Sequence, residues 1–552
     1  MTMFVHGWER NLRVVHAPST GPTVASLYFR VGVADEPLPW RGLTRLVERL
    51  TMSGLEHPDA VAVTGLSDTR FAAQGDPQEV SGFLSRTVAG LQRLRVEDLE
   101  SVRRSLRDDN ADGRQLLSEV ALATRYGPNG YGLIGYPELG LHQAEVRPVR
   151  RWVEQRFVAD NAVLAVLGDL PPGLELDLPT GEHHPPPPPP TPLVALPAWT
   201  PTEFSATVVS MVLPRAPTLG PLARHLDRAL REHLRRQLGE SYHADVWTEA
   251  LDADQTHLLV AANAPDRAGD QVCRAIAELL DQFTDGGVTD ADHRSMIDEL
   301  REFAASPAGR HAELDEAARA VLHRREPMTL HRTCEELEEF DPASFGELLG
   351  THLQSALYLL GGVDDPPLSL KALPAKWAQT PVNGRKHARR LRTDEDRRQL
   401  EDRLILGNDG ITLQTSSWSS TVRFGEVRAV QAHSDGPRVL YGGDGSALAI
   451  DPHDWEAGQE VRDAIDHRVP PSLVVRAGNT GTATLPRRYA VSNLALVVWI
   501  IVAVASIAGA VTGTFPEPTA QGGPGPFRIA WLTMLAALAG WAGFTLWRRR
   551  HD

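Results

Sequence analysis

"RGLTRLVERLTMSG", residues 41–54, decides how this chain is read. Its centre, Arg45-Leu46-Val47-Glu48-Arg49, reads as a helix. With histidine at 45 and 49 it would be H-x-x-E-H, the inverted form of a zinc-binding helix. Positions four apart share a helix face, so two such histidines grip one ion. The glutamate between them is then the general base acting on a metal-bound water. Here both ligand positions carry arginine. A guanidinium stays protonated to about pH 12 and offers no lone pair, so Arg45 and Arg49 are degenerate metal positions. Glu48, the catalytic position of the motif, is left with no water to activate. The expected role of the triplet is structural, with Arg45 pairing to Glu48 as an i, i+3 neighbour.

Working outward, 552 residues are too many for one domain. The 71 acidic against 56 basic residues give a net charge of −15, which argues against nucleic acid as a partner. The lysines are Lys371, Lys376 and Lys386 alone, so arginine is the default cation. Cys273 and Cys334 make neither a disulfide framework nor a cysteine zinc site, and fit a reduced cytoplasmic setting. The N-terminus has no long apolar run and does not read as a secretory signal.

The C-terminal region differs. Residues 489–513 and 529–547 are each apolar over the roughly 20 residues that cross a bilayer. Arg487 and Arg488 precede the first span, and Arg548, Arg549 and Arg550 follow the second. The positive-inside rule puts both ends, and so the N-terminal domains, in the cytoplasm. A buried helical hairpin is the alternative.

"EHHPPPPPPTP" (182–192) marks a boundary, because a polyproline run forms a stiff rod outside any core. The expected order is a first unit over 1–180, a polyproline linker over 181–199 and a second unit over 200–375. A charged linker follows over 376–402, with "NGRKHARRLRTDEDRRQLEDR" read as linker or solvated helix. Residues 403–468 alternate apolar and polar residues around Asp-Gly and Gly-rich turns, a strand meander ending in a helix. A juxtamembrane linker (469–488), the first span, an outer loop (514–528), the second span and a cytoplasmic tail (548–552) complete the chain. Glu182, His183 and His184 read as solvated linker, and His57, His142 and His243 as surface or packing residues.

The N-terminal unit resembles the pitrilysin/insulinase family of zinc metallopeptidases. "NLRVVHAPSTGPTVASLYFRVGVADEP" is similar to the family's opening strands, and the arginine-bearing helix with its closing Gly54 follows at the right distance. "YGPNGYGLIGYPELGLHQAEVRPVRRWVEQRFVADNAVLAVLGDL" resembles the stretch that closes the first domain, with Asn161, Gly168 and Asp169 in place. "LRRQLGESYHADVW" is similar to the L-R-x-x-x-G-x-x-Y of the second domain, filled by Arg235, Gly239 and Tyr242.

The resemblance covers about residues 5–370 and implies an α+β fold. Its parts are two homologous α/β sandwich units of the mitochondrial-processing-peptidase type. The meander-plus-helix, which resembles pleckstrin-homology-like domains or is an unrelated β-rich unit, and a transmembrane hairpin follow. It implies that Arg235 and Tyr242 contact a bound peptide. The family's third zinc ligand falls on Asp108 or Asp109.

Three functions stay open at this point. The first is a membrane-anchored non-catalytic subunit that needs no cofactor, binds peptide through its second domain and pairs with a zinc-bearing homologue. The second is a pure binding or scaffold protein, with "GRKHARRLR" meeting anionic headgroups. The third is an active zinc peptidase with unusual ligands.

Overall fold

The computed structural model describes residues 5–478 apart from 10, 56, 112–116, 170–173, 175, 203, 240–242, 264–267, 364–365, 367–370, 374–379, 391–401 and 416–418. Both apolar segments, 489–513 and 529–547, lie outside the described residues. Among those described, no helix is long and apolar enough to cross a membrane.

The first unit opens with β1 (Val5–Glu9), β2 (Leu12–Ala17) and β3 (Thr23–Phe29). Helix α1 (Leu43–Met52), β4 (Ala60–Thr64), β5 (Thr69–Gly75), α2 (Pro77–Gln92), α3 (Leu99–Ala111) and α4 (Leu117–Tyr126) follow. Helices α5 (Gly140–Gln143) and α6 (Val146–Arg156) lead to the last strand, β6 (Ala162–Leu167). The sheet runs β1-β2-β6-β3-β5-β4. Leu27, Phe29, Phe71 and Leu164 face a helix layer that supplies Leu46, Val47, Leu50, Phe83 and Phe157. The run "AVLAVL" of β6 is buried along its whole length, as a central strand covered on both faces must be.

The second unit repeats the plan. It contains β7 (Ala198–Thr202), β8 (Ala206–Pro214), α7 (Leu219–Leu238), β9 (Ala244–Ala250), β10 (Gln255–Asn263) and α8 (Gly269–Gly286). Helices α9 (Asp290–Ala305), α10 (Pro307–Leu322), α11 (Leu330–Glu339) and α12 (Ser344–Leu353) precede β11 (Leu357–Gly361) and the short β12 (Lys371–Ala372). Its sheet runs β12-β7-β11-β8-β10-β9. Set beside the first sheet, β7, β11, β8, β10 and β9 stand where β2, β6, β3, β5 and β4 stand. Helix α7 therefore occupies the place of α1, and α10 that of α4.

The two units trade helices. Leu314, Ala317, Ala318 and Leu322 of α10 pack on Val15, Tyr28, Val163 and Ala165 of the first sheet. Leu117 and Ala121 of α4 pack on Val208, Leu259, Ala261 and Leu359 of the second. Each sheet thus gets its second cover from the other half of the chain. Polar contacts follow the same lines: Tyr28 donates to Asp315 at 2.5 Å, and Arg70 pairs with Asp315 at 3.2 Å. Arg125 on α4 donates to the carbonyls of Ser355 (3.0 Å) and Ser210 (2.7 Å).

The polyproline segment is not a free rod. Arg30 donates from Nε to the His184 carbonyl at 2.8 Å, and the His184 amide donates to Asn161 Oδ1 at 3.2 Å. The Leu193 amide donates to the Arg125 carbonyl at 2.8 Å, so the run is pinned at both ends. His183 and His184 are half-buried rather than solvated.

The third unit begins near Val382 rather than at 403, because part of the expected charged linker is a strand. This strand, β13 (Gly384–Ala388), pairs antiparallel with β14 (Arg403–Gly407). Next come β15 (Gly410–Gln414), β16 (Ser419–Arg423), β17 (Val427–His433), β18 (Arg438–Gly442), β19 (Ala447–Ile450), α13 (Gly458–Arg468) and β20 (Val474–Ala477). They form two four-stranded sheets, β13-β14-β15-β16 and β19-β18-β17-β20, around a core that includes Leu404, Val422, Leu440, Val461 and Ile465. The unit extends past the expected end at 468, since β20 pairs parallel with β17. It is joined to the rest by a shared apolar cluster: Ala429, Val439, Tyr441 and Val475 meet Leu38, Leu133, Tyr136 and Leu139, with Leu251 from the second unit.

Candidate functional site

Helix α1 is set by the loop before it. Gly42 has φ +97°, and a Cβ there would lie 2.7 Å from the Glu138 side chain. The Glu36 carboxylate accepts from the Gly42 amide at 2.8 Å and the Thr44 amide at 2.6 Å, satisfying free N–H groups at the helix start. Burial pushes the Glu36 carboxyl up to about 7, against the pull of Arg41 and those two amides.

The arginines find partners the sequence did not point to. Glu138 accepts from Arg41 Nη1 on one oxygen (3.0 Å) and from Arg45 Nη1 on the other (3.1 Å). Arg41 also donates to the carbonyl of Leu133 at 3.0 Å. The expected Arg45–Glu48 pair is replaced, because Glu48 turns inward to accept from Thr64 Oγ1 on β4 at 3.0 Å. Its Oε1 is buried without a hydrogen bond and lies 3.7 Å from Arg49 Nε. Burial raises the Glu48 carboxyl above the usual carboxylate range, opposed first by Arg49. Side-chain exposure is 4% for Glu48, 29% for Arg45 and 51% for Arg49.

This donor set does not suit zinc. Two guanidinium groups stand on the face where ligand atoms are needed, and neither has a lone pair to give. Asp108 is exposed on α3, which turns Leu99 and Leu106 into the core, and the side chain of Asp109 lies outside the described residues. Among the described residues no three His, Cys, Asp or Glu side chains are grouped to hold a metal ion.

Arg235 sits exposed in the last turn of α7, the counterpart of α1. Its carbonyl accepts from the Gly239 amide, and Gly239 closes the helix with φ +69°. Tyr242 lies outside the described residues, so the expected Arg235–Tyr242 pair has no geometry here.

One further feature adjoins α1. Strand β4 ends its sheet, and among the described residues nothing pairs with its outer side. Val61 and Val63 on it are 45% and 47% exposed, and with Leu193 they are the exposed large apolar residues among those described. Sequence reasoning missed Glu36, Glu138, Thr64 and the β4 edge. The signal present in the sequence was the acidic residues of "ADEP" and "YPELG".

No protein-family model matches this chain, and no curated protein matches it in sequence. Solved structures match in fold. A protease from Helicobacter pylori aligns at TM-score 0.55 and 14% identity, over 65% of this chain and 100% of its own. The first half of the periplasmic protease PqqL from Escherichia coli aligns at 0.51 and 15%, over 65% of this chain and 91% of its own. Whole PqqL aligns at 0.53 and 13%, over 80% of this chain and 55% of its own. Together with the duplicated sheet order, these likenesses give the chain a pitrilysin-like peptidase fold.

Proposed function

We propose that this chain is a peptide-binding, non-catalytic subunit of the pitrilysin-like type. In this reading it is anchored at the cytoplasmic face of a membrane by 489–513 and 529–547 and works with a zinc-bearing homologue. The observation that carries it is the state of α1. Arg45 is held by Glu138 where a ligand would stand, and the Glu48 oxygen that would face a water faces Arg49 instead. Such a site binds but has no means of activating water.

Binding needs a peptide dock, and the unpaired β4 edge beside α1 offers one. An extended peptide adds to a free edge through main-chain hydrogen bonds, with side-chain contacts supplying selectivity. Arg235, and Tyr242 with it, would contact the same peptide from the second unit, where a guanidinium suits a peptide carbonyl. In this reading the third unit, whose strands are followed by helix α13 and then β20, is a pleckstrin-homology-like domain. Exposed Arg385 and Lys386 on β13 would turn basic charge toward anionic headgroups.

The test is purification of the full chain in mild detergent, mass spectrometry of what accompanies it, metal analysis, and an assay on an unstructured peptide with and without chelator. A zinc-motif homologue in the eluate, with chelator-sensitive cleavage weakened by Arg235→Ala together with Tyr242→Phe, is the expected result. One stoichiometric zinc per isolated chain with cleavage of its own would overturn it in favour of an active peptidase. Recovery of an inert chain alone would remove the partner and leave a binding protein.

A further inference from the structure

We propose that Arg45 and Arg49 make the β4 edge selective for acidic extended peptides in which carboxylate and apolar side chains alternate. This rests on the reading that a peptide docks on that edge, and it adds the chemistry of the ligand.

The two sides of β4 differ. Ala60 and Ala62 pack against the core beneath the helix layer, and Thr64 bonds to Glu48 of α1. Val61 and Val63 face the other way, with Ala72 and Arg70 as their register partners on β5. A strand laid along β4 keeps the same period of two, so its side chains fall alternately toward α1 and toward the valine side.

On the α1 side the charged groups that reach solvent are cationic. Thr64 leads to Glu48 at 3.0 Å, and Glu48 leads to the Arg49 guanidinium at 3.7 Å. That guanidinium is half-exposed and makes no hydrogen bond to another described residue. The carboxylates of this face, Glu36, Glu48 and Glu138, are buried, whereas the guanidinium groups of Arg45 and Arg49 reach solvent. A guanidinium accepts a carboxylate through paired N–H donors, a fit that neither an amide nor an ammonium in the peptide supplies. On the valine side an apolar or β-branched residue is the matching neighbour.

The test measures binding of fluorescent, C-terminally amidated peptides to the full chain in mild detergent. The probes alternate valine with glutamate, with glutamine, or with lysine. The glutamate peptide is expected to bind about fivefold tighter than the glutamine one, the scale of one half-exposed charge pair, and to lose that advantage in added salt. Arg49→Glu, at a half-exposed position, is expected to invert the order so that the lysine peptide binds best, with an unchanged circular dichroism spectrum as the check that the chain is folded. Arg332→Glu makes the same charge change on α11 and is expected to leave the preference alone. Equal affinities for all three peptides in the native chain would overturn the acidic preference while leaving peptide docking in place. The same holds for an order that Arg49→Glu does not alter. Failure of every peptide to bind, with a dimer seen in sedimentation, would assign the edge to a second copy of this chain and overturn both.

Discussion

At the scale of single residues, Glu138 is the most consequential side chain around α1. It neutralises buried Arg41 and half-buried Arg45 with separate oxygens. Glu138→Gln takes from buried Arg41 its nearer counter-charge, leaving Glu36 at 3.8 Å, and is expected to cost about 2 kcal/mol in urea unfolding. Glu36 carries a pH signature. Its folded carboxyl holds a proton up to about 7, well above its ordinary 4.5. The folded state therefore binds this proton more tightly than the unfolded chain. The stabilisation is complete below the unfolded value and is lost as pH rises through the folded one. Stability differences between the native chain and Glu36→Gln, measured by urea midpoints on either side of that window, are expected to change by about 3 kcal/mol. The missing lone pairs of Arg45 and Arg49 were legible in the sequence, because they are intrinsic to the residue type. Glu138 was not, because it meets Arg45 from 93 positions away and no local period announces such a contact.

At the scale of elements, periodicity served where one face is buried and failed where an edge is wet. Strands β8 and β10 and helices α7 and α8 stand where "ATVVSMVL", "THLLVAANA", "LARHLDRALREHLRRQL" and "QVCRAIAELLDQF" place them. Strand β13 was hidden inside a run of charge. Its Arg385 and Lys386 point to water from an edge strand, where charge is no obstacle to pairing. Helix ends were better marked. Gly239 takes a left-handed conformation with open space around its Cα, so Gly239→Ala meets no neighbour and suffers strain alone. A loss of about 1 kcal/mol in chemical denaturation is expected, with no change in the spectrum of the folded state.

At the scale of the whole molecule, the resemblance anticipated two homologous units, and the matching sheet orders agree with it. What no sequence pattern disclosed is that α4 and α10 each cover the other unit's sheet, since apolar residues do not record which sheet they will meet. Arg125 closes this exchange from α4. Arg125→Ala strips the buried Ser210 carbonyl and the partly buried Ser355 carbonyl of a donor and opens a void, and is expected to cost about 3 kcal/mol. Melting followed separately by probes in each unit should still show a single transition, because neither sheet is complete alone. Acid attacks the same seam. Burial pushes His257 down to about 3, so it stays neutral in the folded state while the unfolded chain charges near 6.5. Its contribution is intact above the unfolded value and is lost as pH falls toward the folded one. His257→Gln is therefore expected to retain more of its neutral-pH stability at about pH 4, read from thermal melts.

The helix exchange also sets a timetable for synthesis. The ribosome completes β6 at Leu167, and with it every strand of the first sheet, well before it adds Leu314 to Leu322. Until those residues emerge, Val15, Tyr28, Val163 and Ala165 have no cover. The nascent first half must wait, apolar face open, for a helix that belongs to the second.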